Sequence, residues 1–290
     1  MALRYDTISF LSDYGRVDEF VGVVHSVVRA IAPDVRVIDL THDIPAHDVR
    51  AGGLALARSA QYLAPGVVLA VVDPGVGTSR RAVAVEVGEG QSILVGPDNG
   101  LLAPAVALCG GADRAAVLDN AAYHLDSPGP TFAGRDVFAP VAAHLCNGVA
   151  LEELGQLVDP ITLLPGVLPV THPLEEGDGF AAEVLWVDTY GNCQLNVDPD
   201  ELADWGDRVQ VRIGDRTRTA RRARSYEDVG VGEIGVVMDS YGMISLTVDR
   251  GSAAAELGLT AGDRLTVHRL TDDDVPEITT PIELRRKAER

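Results

Sequence analysis

The sequence predicts an α/β fold in which an N-terminal, largely parallel sheet with flanking helices precedes a C-terminal β-barrel domain. Three observations carry this. The first half alternates short β-branched runs with segments of helical periodicity, which is the pattern of a sheet covered by helices. The second half is almost all short strands separated by turn residues, as a small barrel or sandwich requires. Between them a proline-rich stretch, VDPITLLPGVLPVTHPLEEG, has little periodicity and marks a linker. The expected division is 1–157, an α/β domain; 158–176, the linker; and 177–290, the barrel domain.

Taken in order, TISFLS reads as a strand, and DEFVGVVHSVVRAIA places Phe20, Val21, Val24, Val27, Val28 and Ile31 on one helical face. VRVIDL is the next strand and HDVRAGGLALARSAQYL the next helix. GVVLAVVD is almost continuously apolar, as a strand buried on both faces must be. RAVAVEV and SILVGP follow as strands, and NGLLAPAVALCG and GRDVFAPVAAHLCNG as helices. In the second half FAAEVLWVD, CQLNV, RVQVRI, GEIGVVMDS, MISLTVD and DRLTVHRL read as strands, with a helical insert at SAAAELG. The tail ELRRKAER reads as a frayed helix or a disordered end.

Charge and cysteine use limit the function classes. A formal net charge of -19 repels phosphate backbones and anionic membranes, so neither nucleic acid nor membrane is an expected partner. Arg216, Arg218, Arg221, Arg222 and Arg224 form a local exception, and the first two alternate with Thr as a solvated strand face does. Cys109, Cys146 and Cys193 are scattered without CxxC spacing, which points to a reducing, cytoplasmic setting and not to a disulfide framework or metal site. No apolar run reaches the length of a signal peptide core or a membrane span.

Ligands of open α/β sheets bind beyond the carboxyl ends of the strands, where four clusters fall: SDYGRVDEF, THDIPAHD, VDPGVGTSRRA and VGPDNG. Asp13 follows the first strand and can accept both hydroxyls of a ribose; Asp18 can do the same work or cap the first helix. VDPGVGTSRRA lacks the features of a phosphate loop, but it puts Asp73 and Arg80 on opposite shoulders of a Gly-Val-Gly turn, where they can face one another. His42 and His47 flank a turn and can line a pocket, while His25 and His144 read as structural; no His-x-x-x-His or His-x-His spacing suggests a metal. In the second half WVDTYGNCQLN and MDSYGMISLTVDRGSAA each set an aromatic beside a tight glycine turn. There Tyr190 can stack on a purine, Asn192 can both donate to and accept from its edge, and Ser240, Tyr241 and the backbone near Arg250 complete a pocket.

In combination, SDYG, DLTHDI, VVDPGVGTSRR, VGPDNG, TFAGRDVFAP, VDTYGN and DSYG resemble the S-adenosylmethionine hydroxide adenosyltransferase family, relatives of the fluorinase and chlorinase, over residues 8 to about 267. The resemblance implies a homotrimer with active sites between the N-domain of one subunit and the C-domain of its neighbour. It also implies hydrolysis of S-adenosylmethionine to adenosine and L-methionine by water or hydroxide attack at the ribose C5′. No cofactor is required, S-adenosylmethionine being the substrate. By position, Asp13 would hold the ribose hydroxyls; Asp18, Asp188 and Ser240 the methionine end; Tyr190, Asn192 and the backbone about Arg250 the adenine. Phe132 and Val76 would wall the reacting carbon, with Gly134 making room. Asp73 and Arg80 match the hydrolytic branch, in which an Asp-Arg-His set orients or activates water and Arg80 would lower the pKa of Asp73. The family motif at the third member is Thr-Phe-His-Gly-Arg-Asp, and this chain has Ala133 in the place of the histidine. A natural divergence and an introduced replacement read identically there, the intact neighbours favouring the latter; either predicts retained ligand binding with slowed hydrolysis. The rival readings are a halogenase of the same fold, opposed by the negative charge of Asp73, and a non-catalytic S-adenosylmethionine or adenosine binder, favoured by Ala133.

Overall fold

The computed structural model describes residues 3–270, so the ELRRKAER tail lies outside the described residues. The chain divides into two compact units, Met1–Leu168 and Pro169–Arg290. The proline-rich stretch is shared between them, since Val158 pairs with Ala115 in the first sheet and His172 with Ala181 in the second.

In the first unit seven strands form one sheet: β1 (Thr7–Ser12), β2 (Arg36–Thr41), β3 (Val67–Val71), β4 (Ala82–Val87), β5 (Ser92–Pro97), β6 (Arg114–Val117) and β7 (Leu157–Val158). Their order is β2-β1-β3-β5-β4-β6-β7, with β2 to β5 parallel and the remaining pairings antiparallel. The helices are α1 (Phe20–Ile31), α2 (Val49–Ala60), α3 (Ala103–Leu108) and α4 (Ala139–Cys146). Strand alternation sends Ile8, Phe10, Leu69 and Val95 into one core with Val24 and Val28 of α1 and Ala142 of α4. Leu11, Val68, Ala70 and Leu94 enter the other, with Leu56 of α2 and Ala105 of α3. The sheet is thus a filling between two helical layers. β3, at its centre, is buried at every residue, as its unbroken apolar run predicts, whereas β2 at the edge is largely exposed.

The fourth helix opens differently from the expectation. Residues Gly134–Phe138 form a single π-helical turn before the regular helix begins at Ala139. Such wide turns interrupt the i to i−4 ladder and often occur at functional sites.

The second unit comprises β8 (His172–Pro173), β9 (Gly179–Val187), β10 (Cys193–Leu195), β11 (Arg208–Ile213), β12 (Arg216–Ala223), β13 (Ile234–Met238), β14 (Ile244–Val248) and β15 (Arg264–Arg269), with one short helix, α5 (Ala253–Leu257). Pairing runs β9-β10-β14-β13-β12-β11-β15 and returns to β9, closing a seven-stranded barrel with β8 added outside. Closure leaves no open edge in the ring. Val184, Leu195, Val211, Leu246 and Val267 fill the interior. On β12 Arg216 to Thr219 are exposed, as a solvated face requires, although alternation sets Arg216 and Arg218 on the same side as buried Ala220. Arg216 escapes the interior by reaching the strand end, where its guanidinium donates to the Leu257 carbonyl.

VGPDNG proves to be architectural. A Cβ on Gly96 would stand 2.3 Å from the Ala70 carbonyl oxygen, so only glycine lets β5 approach β3 there. Asn99 Nδ2 donates to the Val72 carbonyl at 2.9 Å, and the Asp98 carboxylate receives Arg81 Nε at 2.8 Å. These contacts fix the end of β3 and with it Asp73. Gly96→Ala should lower the stability of the chain by about 1–3 kcal/mol, read as a shift in the urea midpoint at unchanged slope.

Candidate active site

Two cavities take up the predicted residues, one in each unit. The first, of about 240 Å³, opens at the carboxyl ends of β1 and β3 and is lined by Asp13, Tyr14, Phe20, Ala46, His47, Asp73, Val76 and Thr131 to Gly134. Of the residues expected there, Asp13, Asp73, Val76, Phe132, Ala133 and Gly134 converge. Arg80 stands behind Asp73 and is absent from the lining, and Asp18 is exposed outside it. Asp18 does not cap α1 either: the cap position belongs to Glu19, whose side chain makes no capping bond.

Asp73 and Arg80 meet as the Gly-Val-Gly turn suggests. Arg80 Nε donates to Oδ1 at 2.9 Å and Nη2 to Oδ2 at 2.5 Å, a bidentate pair in which the side chains are only 6% and 12% exposed. Arg80 Nη1 donates to the Arg81 carbonyl at 2.8 Å, and its guanidinium lies 5.4 Å from the ring centroid of buried Phe138. The expected lowering of the Asp73 pKa is not the net result. Burial pushes that carboxyl above the ordinary aspartate range, outweighing the pull of Arg80, and the neighbouring Asp13 pushes the same way.

Asp13 follows β1 directly. Its Oδ2 accepts the backbone N–H of His47 at 2.9 Å, and His47 holds a left-handed φ of 68°. A non-glycine residue in that region is uncommon and costs conformational energy. Here the conformation turns the His47 N–H toward Asp13.

Three aromatic rings form one wall. Phe132 meets Tyr14 and Phe20 edge-on, with centroids 5.6 and 4.9 Å away, and Arg135 stacks over its other side at 5.1 Å. Phe20, read from periodicity as a core residue, is 36% exposed and serves this wall instead. The Tyr14 hydroxyl lies against the Gly134 backbone and is held protonated by burial and by Asp13 and Asp73. A Cβ on Gly134 would lie 2.1 Å from that hydroxyl, so the glycine makes room for Tyr14. His47 lines the cavity, as its place beside the DIP turn suggested, whereas Tyr14, Phe20, Ala46 and Thr131 are lining residues that sequence reasoning did not select. Tyr14 lay in a quoted cluster, but its role depends on Gly134, 120 positions on.

The second cavity, of about 710 Å³, collects Asp188, Tyr190, Asn192, Ser240, Tyr241 and Arg250, all of which were expected together. It adds Trp186, Tyr226, Asp239 and Thr247. Two similar turns build it. Asp188 Oδ1 accepts the N–H groups of Tyr190 and Asn192 at 2.9 and 2.8 Å, and Oδ2 accepts Asn192 Nδ2 at 2.8 Å. Asp239 does likewise, taking the N–H groups of Tyr241 and Met243 at 2.9 and 3.1 Å and the side chains of Gln194 and Ser245 at 2.7 and 3.0 Å. Asn192 Oδ1 also accepts from Thr247 Oγ1 at 2.6 Å. Its amide therefore has one proton and one lone pair left for a ligand. Trp186 and Tyr241 stand edge-on at 6.2 Å, and Tyr190 is largely exposed, leaving flat apolar surface for a planar ring.

Cysteine nucleophiles are not available to either cavity. Burial pushes the Cys146 thiol up to about 12 and Cys193 up to about 11, so both remain protonated near neutrality.

Comparison with known proteins places similar chains in one family. Residues 8–155 match the model of the SAM hydroxide adenosyltransferase N-terminal domain and residues 182–266 that of its C-terminal domain. The (R)-S-adenosyl-L-methionine hydrolase of Salinispora tropica is 46% identical over 90% of this chain and 97% of its own length. A fluorinase of an Actinoplanes species is 25% identical, covering 90% of this chain and 96% of its own. A crystal structure of an uncharacterized conserved protein from Thermotoga maritima superposes with a TM-score of 0.81 at 35% identity, covering 90% of this chain and all of that one. With both domain models matched in order, and hydrolase relatives similar across nearly the whole length, the chain belongs to the SAM hydroxide adenosyltransferase family.

Proposed function

We propose that the protein hydrolyses S-adenosyl-L-methionine to adenosine and L-methionine, and that Ala133 slows the reaction. The observation that carries this reading is the buried Asp73–Arg80 pair beside a cavity that also holds Asp13 and Phe132. In this reading Asp13 receives the ribose hydroxyls, and Phe132 and Val76 close off the space about C5′. Asp73 orients a water and takes its proton as the oxygen–C5′ bond forms and the C5′–sulfur bond breaks. The sulfonium leaves as a neutral thioether and needs no acid. Catalysis therefore reduces to an aligned nucleophile in a dry pocket. In the second unit Tyr190 and Asn192 receive the adenine, with Asp188 and Ser240 toward the methionine end. Asp18, exposed, would reach that end only across a more complete site.

A complete site would arise in a homotrimer in which the first unit of one subunit meets the second unit of its neighbour. Cytoplasmic residence belongs to the same proposal. Its support is three free thiols, and no described helix is long and apolar enough to cross a membrane.

The halogenating alternative is disfavoured by charge, since a halide seated beside the Asp73 carboxylate would meet like charge in a poorly solvated place. One assay separates the readings: incubation with S-adenosylmethionine, with and without chloride, followed by chromatography of adenosine, methionine and any 5′-chloroadenosine. Slow adenosine release is expected, and Ala133→His should raise kcat by about 10²- to 10⁴-fold with little change in KM. No adenosine from either protein would defeat the hydrolase reading; a chloride-dependent product would move it to the halogenase.

The rate should rise with pH through an ionisation above the ordinary aspartate value of about 3.9, because burial raises Asp73 and the charged form is the one that acts. Asp73→Asn should lower kcat and erase that acid limb; persistence of the limb would assign it to another group. For the shared site, co-expression of Asp73→Asn and Asn192→Ala chains should recover part of the activity that each variant lacks alone. Recovery is expected only if one site draws on two subunits.

A further inference from the structure

Outside both cavities, His25 of α1, Asp39 of β2 and His42 just beyond β2 bring their ligand atoms within 4.8 Å of one another. His25 Nε2 lies 2.8 Å from Asp39 Oδ1, and His42 Nε2 lies 3.1 Å from the same oxygen. Only the first contact is directed as a hydrogen bond. His42 is 2% exposed, and its Nε2 has no hydrogen-bond partner although it points at Asp39. A buried ring nitrogen without a partner is costly, and such atoms in folded proteins require a reason.

We propose that these three side chains form a binding site for a divalent transition metal of the zinc class. Two imidazoles and a carboxylate are a suitable donor set for such ions, and a metal accepts the lone pair of His42 Nε2, which a carboxylate oxygen, itself an acceptor, cannot. Bonds of about 2.0–2.1 Å in tetrahedral geometry set ligand atoms roughly 3.3 Å apart, so a small opening of the present spacing admits the ion. The surroundings fit as well. His42 Nδ1 is 2.8 Å from Ser12 Oγ, so Nδ1–H can donate there and leave Nε2 as the lone-pair nitrogen. Phe10 packs edge-on to His42 at 4.6 Å and lies 6.2 Å from His25, restraining both rings. A register shift between Phe10 and Leu11 pairs Leu11 with Thr41 in place of Leu40, a bulge that brings the end of β2 round beside Asp39. His25 and Asp39 are about a third exposed, which gives an ion access.

Bound metal would act as a clip with a bearing on the first cavity. Ser12 Oγ also accepts the Tyr14 N–H at 3.3 Å, and the Gly15 N–H donates to the His42 carbonyl at 2.7 Å. The loop holding Asp13 and Tyr14 therefore hangs on the residue that the metal would immobilise. The site stands independently of the proposed hydrolysis.

The full chain, stripped with a chelator and dialysed, should be titrated with Zn²⁺ by calorimetry and with Co²⁺ by visible absorption. One ion per chain, a cobalt d–d band and a raised Tm are expected. His25→Gln and Asp39→Asn should each weaken Zn²⁺ binding at least about tenfold, the loss of one ligand from a small set, while keeping the metal-free Tm of the parent. His25→Gln is the decisive variant because its side chain is partly exposed and its loss leaves the core intact. Substoichiometric binding, or affinity unchanged in His25→Gln, would overturn the proposal.

Discussion

The first cavity depends on the parallel pairing of β1 with β3. Ser12 stands opposite Val71 in that ladder, so the residues that follow, Asp13 and Asp73, leave the sheet side by side at the same edge. Two carboxylates brought together beside buried rings repel one another, and the rest of the local structure manages that repulsion. Arg80 neutralises Asp73 through both oxygens, and the His47 N–H, turned inward by its left-handed backbone, meets Asp13. What remains is a pair of acids with different surroundings. One is partly open and able to bind hydroxyls; the other is buried, clamped and raised in pKa. Environments that separate two similar groups in this way commonly give them separate tasks.

The second cavity is organised on another principle, repetition. DTYGN and DSYGM each use an Asp side chain to collect two backbone N–H groups from a glycine turn, so each loop is held by charge-assisted bonds and not by burial. Gly191, with φ at 84°, could not be replaced without striking Ser252, whose hydroxyl caps α5. Turns fixed so firmly can present Tyr190 to solvent and still keep it in place.

Much of this was legible because local pattern and tertiary role agreed. The unbroken apolar run of β3, the alternation of the barrel strands and the Gly-Val-Gly turn joining Asp73 to Arg80 are short-range signals, and the structure uses them as such. The two glycine turns also let Asn192, Ser240, Tyr241 and Arg250 be read together as one pocket, and the structure collects them about one cavity; the family resemblance added Asp188 to the set. The readings that went astray involve partners distant in sequence. Phe20 satisfies helical periodicity but faces Phe132, and Gly134 makes room for Tyr14. The direction of the Asp73 pKa failed for a related reason: a sequence shows a charge partner but not the desolvation that competes with it.

That competition also bears on the part proposed for position 133. A bidentate pair as buried as Asp73 and Arg80 contributes little net stability, because the Coulomb gain is spent against desolvating both groups. Its value lies in fixing a charge where water has been largely removed. Ala133 sits at the start of the π-helical turn, its backbone in the ordinary helical region, and its neighbours Phe132 and Gly134 lie against Tyr14, Phe20 and Arg135. The wall is therefore braced from both sides of the alanine and does not need a larger side chain to keep its shape. Under the proposed hydrolysis, a substitution at this position would change the chemistry of the cavity without loosening the frame around it, so kcat and KM would respond separately.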